Sequence, residues 1–137
     1  MSADEILAAA RACLGTPFLH QGRIPGVALD CAGLVVAVAQ AIGADYVDRT
    51  GYSRSPSHGQ LQCALDEQPC LERVAAMDRQ PGDVLLIRFA GDPQHLAILA
   101  GETIIHSYAS VGRVCEHRLS SVWAARIVCA YRFKGLV

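Results

Sequence analysis

Residues 31–42 of this chain, Cys-Ala-Gly-Leu-Val-Val-Ala-Val-Ala-Gln-Ala-Ile, are almost uniformly apolar and end at Gly43. The run is too long for an ordinary strand and rich in residues that favour a helix. It therefore predicts a central helix buried nearly all round, since an apolar surface on every side leaves no face for water. Asp30, a good N-cap residue, marks its start. The 137 residues suffice for one hydrophobic core around such a helix.

The flanking segments take simpler forms. Ser2 and Glu5 have capping-box spacing, and Ile6, Ala10 and Leu14 share one helical face until Gly15 and Thr16-Pro17 stop the helix. A loop over 18–29 holds Gly22, Pro25 and Gly26, and 45–59 has loop texture too. A helix is expected over about 60–67 and a second short one over 71–77. After the turn signal Pro81-Gly82-Asp83 the texture becomes strands, over 84–89, 95–100, 103–108, 113–118 and 127–133. Helices first and an antiparallel meander after predict one α+β domain over residues 1–137. No internal repeat or linker interrupts it.

Composition excludes several functions. The formal net charge is −1 with no basic stripe, which removes the electrostatic basis for nucleic-acid binding. No apolar stretch approaches the roughly 20 residues of a membrane span. The acidic start Met1-Ser2-Ala3-Asp4-Glu5 is unlike a secretory signal, so synthesis in the cytoplasm without a signal peptide is expected. Six cysteines, Cys13, Cys31, Cys63, Cys70, Cys115 and Cys129, accompany no export signal and form no zinc-ligand spacing. Reduced thiols with no metal and no cofactor are expected, five of them as small buried hydrophobes.

Cys31 differs from the other five. It stands where a Gly/Pro-rich loop enters the apolar helix, so unpaired N–H groups and the positive helix end should favour thiolate and receive an oxyanion. On that argument it should be the cysteine alkylated fastest. Gly33 leaves room for neighbouring backbone. Downstream, a two-residue turn at Gly101-Glu102 would oppose Leu99 to Ile104 and Ala97 to His106. Alternation then puts His95, Ala97 and His106 on one sheet face, the two histidines as diagonal neighbours. One imidazole can take the thiol proton while the other fixes its tautomer. Ala97 and Leu99 are expected to pack that face on the central helix. A buried cysteine and satisfied sheet histidines remain the plainer alternative. His20 is placed to line the cleft; His58 and His117 read as loop or surface residues.

In order along the chain, Gly15-Thr16-Pro17-Phe18, Asp30-Cys31-Ala32-Gly33-Leu34-Val35, Pro81-Gly82-Asp83-Val84, His95-Leu96-Ala97-Ile98 and Ile105-His106-Ser107-Tyr108 resemble the NlpC/p60 family of papain-like cysteine peptidases. Residues 15–21, with His20-Gln21 ahead of the Asp-Cys pair, look most like the branch encoded with bacteriophage tail genes. The resemblance implies a minimal papain-like fold: N-terminal helices, the nucleophile at the start of the central helix, and a five- to six-stranded antiparallel sheet. It implies a Cys31-His95-His106 triad and hydrolysis of peptidoglycan stem peptides, typically between γ-D-glutamate and the diamino acid. Asp30 matches an acidic position that binds the substrate's free amine in relatives. Phe18 stands where many relatives have tyrosine, and Ala32 where many have serine, so these positions with Asp30 and His20 are the expected substrate contacts.

A lone catalytic domain of this branch would be positioned by a phage tail protein and incorporated into a tail or virion. Two alternatives follow from the same residues. The loss of the phenol at Phe18 fits a structural tail-assembly module without activity. The same triad also serves an amidase or acyltransferase acting on a lipid or small amide, for which a wide apolar cleft would speak.

Overall fold

The helix foreseen over 31–42 organises the computed structural model, which describes residues 1–53, 59–89 and 91–136. Helix α1 spans Ala3–Arg11, and a two-stranded ribbon, β1 (Arg23–Ile24) and β2 (Ala28–Leu29), leads into α2 (Cys31–Ala41). After α3 (Gln60–Asp66) come β3 (Leu71–Val74), β4 (Val84–Phe89), β5 (Asp92–Leu99), β6 (Thr103–Tyr108) and β7 (Arg113–Arg118). A short α4 (Ser121–Ala124) and β8 (Ile127–Phe133) close the chain. The six-stranded sheet has the order β3-β8-β4-β5-β6-β7, with every pair antiparallel. The α+β class with helices ahead of an antiparallel meander is the architecture expected. Among the described residues no helix is long and apolar enough to cross a membrane.

Local rules explain the element ends. The Ser2 hydroxyl accepts the Glu5 N–H at 3.3 Å, capping α1. The Asp30 carboxylate accepts the Gly33 N–H at 2.8 Å, capping α2. Residues Ala32 through Ala39 are all buried, which is why the run carries no polar face. Gly33 is required by close approach: a Cβ there would lie 2.1 Å from the Gly22 carbonyl oxygen. Gly33→Ala should therefore cost about 1–3 kcal/mol, the usual penalty of overpacking, measured by urea unfolding. An unchanged midpoint would mean that the loop before β1 is free to move away.

The segment 71–77 is not the helix expected. Leu71–Val74 forms an edge strand paired to β8, followed by a single 3-10 turn at Ala76–Asp78. Its Glu72 and Arg73 are exposed, as charges on an edge strand usually are.

The sheet is apolar on both faces. Leu96, Ile98 and Ile105 pack with Leu34, Val35 and Val38 of α2 in the larger core. Ala97, Leu99 and Ile104 belong to a second core with Leu85 and Ile87, covered by Leu119 and Trp123. The expectation that Ala97 and Leu99 meet the central helix is thus corrected: the even-numbered neighbours do so, and His95 shares the parity of the opposite face.

Candidate active site

Pairing between β5 and β6 is confined to Ile98 with Ile105 and Leu99 with Ile104, closed by the Gly101-Glu102 turn where the Ala100 N–H meets the Thr103 carbonyl at 2.8 Å. Beyond Ile98 no pair joins the two strands. Even-numbered N–H groups of β5 point toward β6, so the Leu96 N–H opens into that gap instead of a ladder bond. Cys31, at the head of α2, lies near enough that the Leu96 and Ala32 backbone N–H groups both act on its sulfur. The helix head thus neighbours the strand that carries His95, while the rest of α2 packs on the Leu96 and Ile98 face.

His95 is 4 % exposed and His106 fully buried. The His95 Nε2 lies 2.6 Å from the His106 Nδ1, and the His106 Nε2 lies 2.8 Å from the His117 Nε2. The His117 Nδ1 is 2.9 Å from the Arg118 carbonyl oxygen. That carbonyl can only accept, so it sets the direction of the whole relay. His117 donates from Nδ1 and accepts at Nε2; His106 donates from Nε2 and accepts at Nδ1; His95 donates from Nε2. The lone pair left over is on the His95 Nδ1. Phe89 stacks on the His95 ring at 5.1 Å, and Trp123 packs edge-on to His106 at 5.1 Å, so apolar rings flank the two inner imidazoles.

His117 was expected at the surface; instead it is half-buried and third in this chain of imidazoles. The signal was present in the pairing of β6 with β7. Cys115 stands opposite His106, so His117, two residues on, shares its face. His58 lies outside the described residues.

A cavity of about 670 Å³ opens over the sulfur. Cys31 and His95 line it, and so do all four positions expected to meet substrate, Phe18, His20, Asp30 and Ala32. His106 stands behind His95. Arg88, Arg126 and Gln94 line the same cavity, so a wall that is apolar over more of its area also carries cationic groups.

Asp30 is more than a cap. One oxygen takes the Gly33 N–H and the Arg23 Nη1 at 3.0 Å; the other takes the Gln21 N–H at 2.8 Å and the Tyr52 hydroxyl. Four donors fill the acceptor capacity of a carboxylate, so a substrate amine would have to displace one of them. Arg23 and Tyr52 carried no sequence signal, because the two-residue strand β1 and the segment after α2 have no periodic pattern and their contacts form only on folding. His20 packs edge-on to Tyr52 at 5.4 Å, and its Nε2 lies 3.0 Å from the Tyr52 carbonyl oxygen.

The surroundings do not favour thiolate at rest. Burial, with the Asp30 charge beside it, pushes the Cys31 thiol up to about 12, against the opposing pull of the Leu96 and Ala32 N–H groups and Arg23. Burial, then the neighbouring His106 and His117, holds His95 well below the ordinary histidine value, and burial with His117 brings His106 to about 4. Near pH 7 the pair is a neutral thiol beside a neutral imidazole. Cys63 is exposed, not buried as expected, while Cys13 and Cys129 are buried and Cys70 and Cys115 half-buried; all six thiols are free. At neutral pH iodoacetamide should therefore label Cys63 before Cys31, with the Cys31 rate still climbing above pH 9. Peptide mapping that finds Cys31 labelled first, with a rate already flat by pH 8, would show a preformed thiolate.

Among the described residues one group could hold a metal ion: a ligand atom from each of His106, Cys115 and His117 lies within 4.8 Å of the others.

The model of the NlpC/P60 family matches residues 15–132. No curated protein matches the chain. Among solved structures, it superposes on the NlpC/p60 domain of the peptidoglycan hydrolase SagA with a TM-score of 0.66 at 22 % identity, over 95 % of this chain and 97 % of that one. For an NlpC/P60 family protein from Bacillus cereus the TM-score is 0.68 at 21 % identity, over 97 % of this chain and 40 % of that one. RipD from Mycobacterium tuberculosis, a non-catalytic NlpC/p60 domain protein adapted to peptidoglycan binding, gives 0.64 at 16 % identity, over 96 % of each chain. The chain spans about two-fifths of the Bacillus cereus protein and of an NLP/P60 family protein from Staphylococcus aureus described as similar to lipoprotein.

Proposed function

The chain belongs to the NlpC/P60 family, and from that premise we propose that it is a cysteine peptidase acting on peptidoglycan stem peptides, with Cys31 as nucleophile, His95 as base and His106 as its orienter. The observation that carries this reading is the one nitrogen left unpaired in the His95-His106-His117 relay. The Arg118 carbonyl, relayed through His117 and His106, leaves Nδ1 as the unprotonated nitrogen of His95, which lines the same cavity as Cys31.

With both groups neutral, proton transfer accompanies attack. The Cys31 sulfur bonds to the substrate carbonyl carbon as its proton passes to the His95 Nδ1. The negative oxygen is stabilised by N–H groups at the start of α2. Collapse breaks the C–N bond, and His95 returns the proton to the leaving amine. Water then attacks the thioester, giving its proton to His95, and the thiol is restored. The imidazolium formed in each half-reaction is stabilised through its Nε2–H by His106. Stem peptides carry free carboxylates, and Arg88 and Arg126 in the cavity wall are cations placed to meet them. Those two cations, not the polarity of the wall as a whole, favour wall peptide over a lipid amide. The expected bond is the one between γ-D-glutamate and the diamino acid.

A phage-tail location, with a tail protein as partner, draws support from residues 15–21 alone. The chain should then co-purify with assembled tails of its source phage or prophage; its absence from them would refute that placement. A peptidoglycan-binding module without turnover is the second reading, and Phe18 favours it by offering no phenol to the cavity. Digestion of defined stem peptides, followed by mass spectrometry, separates the two. Release of the diamino-acid fragment supports the peptidase, and intact peptide with measurable binding supports the module.

A further inference from the structure

The relay ends beside a sulfur, that of Cys115, that the peptidase reading does not use. Cys115 lies directly across the ladder from His106, and His117 follows on the same face. The His106 and His117 rings present Nε2 to Nε2 at 2.8 Å with one proton between them, and a ring nitrogen of each lies within 4.8 Å of the Cys115 sulfur. Trp123 packs against both rings, at 5.1 and 5.4 Å, giving the group an apolar wall.

We infer that His106, Cys115 and His117 form a binding site for a zinc-type divalent ion, and that the ion, taking the place of the proton shared by the two imidazoles, switches the peptidase off. Two imidazoles, one thiolate and a water make an ordinary tetrahedral zinc set. With Zn–N of about 2.0–2.1 Å and Zn–S of about 2.3 Å, the ligand atoms of such a site stand about 3.3–3.7 Å apart. The rings need only part by a few tenths of an ångström while the thiol rotates inward by about 1 Å.

The effect on the site follows from proton accounting. Binding displaces the proton on the His106 Nε2 and the proton on the Cys115 sulfur. A neutral metal-bound imidazole carries its remaining proton on the other nitrogen, so the His106 Nδ1 changes from acceptor to donor. The proton on the His95 Nε2 passes to it, and His95 takes one from water at Nδ1. One proton is released in all. The His95 Nδ1 now carries a hydrogen toward the neutral Cys31 thiol, which has lost its base. The inhibitory effect rests on the peptidase reading; the site itself does not.

The test uses the full chain freed of metal with a chelator. One equivalent of Co2+ should give thiolate charge-transfer and tetrahedral d–d absorption in the wild type and in Cys31→Ala, and neither in Cys115→Ser. Loss of this ligand should weaken binding by more than the roughly 10–100-fold that an outer-shell partner costs. Absorption that survives Cys115→Ser, or vanishes in Cys31→Ala, would overturn the site. With Zn2+, the histidine 15N shifts should report His95 moving from the Nε2–H to the Nδ1–H form, whether or not any peptide is turned over; an unchanged tautomer would overturn the switch. Without zinc Cys115→Ser should cleave stem peptide like the wild type, and it should need at least ten times more zinc for inhibition. Equal inhibition of both proteins would place the inhibitory ion at Cys31 instead. If the wild type cleaves nothing, the cobalt and 15N measurements still decide the site and the tautomer, so the two failures remain distinct.

Discussion

Cys31→Ala should abolish cleavage of stem peptide, lowering the rate by roughly 10⁴-fold or more, as loss of a nucleophile does when base and oxyanion donors remain. The fold should be untouched. Cys31 is only half-buried at the first position of α2, and alanine suits a helix start in all but chemistry. The thermal midpoint should stay within a degree or two of the wild type, because removing one sulfur beside an open cavity leaves no closed void to fill. Near-wild-type turnover in this variant would remove Cys31 from the chemistry and pass the role to another group of the cavity.

The largest effect on stability should come from Asp30→Ala. The capping bond to the Gly33 N–H is worth about 1 kcal/mol on its own. The carboxylate also holds the Arg23 Nη1, the Gln21 N–H and the Tyr52 hydroxyl, while being only 3 % exposed. Removing one partner of a buried ion pair strands the other, at about 3–5 kcal/mol. That is a large share of the roughly 5–15 kcal/mol by which such domains are stable. Urea unfolding should show it directly. A loss near 1 kcal/mol would reduce Asp30 to a helix cap and leave Arg23 held by Asp48, which it also meets at 3.0 Å. Because Tyr52 and Ala32 line the cavity too, activity should fall along with stability.

The parts of this site that could be foreseen are those fixed over short stretches of chain. A two-residue turn determines strand parity, so Gly101-Glu102 was enough to put His95 beside His106. An N-cap ahead of an apolar run was enough to put Cys31 at a helix head. The parts that escaped depend on longer closures. His117 follows from the parity of a second turn, 109–112, which has less distinctive turn chemistry. The face that α2 meets could not be told from pattern, because Val84, Leu85, Leu86 and Ile87 are all buried; alternation vanishes where both faces of a sheet are covered. Residues 71–74 were misjudged because Glu72 and Arg73 suit a helix, while an edge strand tolerates them equally. The raised Cys31 thiol escaped as well. Helix position argues for thiolate, but burial beside Asp30 acts the other way and is larger.

These points bear on mechanism. A preformed thiolate–imidazolium pair would react with any small electrophile. A neutral pair becomes nucleophilic only as the proton moves to the His95 Nδ1, so the relay's tautomer matters more than the resting charge of the sulfur. The same dependence makes the site sensitive to whatever binds at His106 and His117.

The most direct test is rapid acid quench of the wild-type chain turning over a stem peptide, followed by mass spectrometry of its proteolytic fragments. The fragment containing Cys31 should carry the mass of the amino-terminal part of the substrate as a thioester, and no other cysteine fragment should. Product appearing with Cys31 unmodified at every quench time, or an acyl group found on Cys63 or Cys115, would contradict attack by this sulfur.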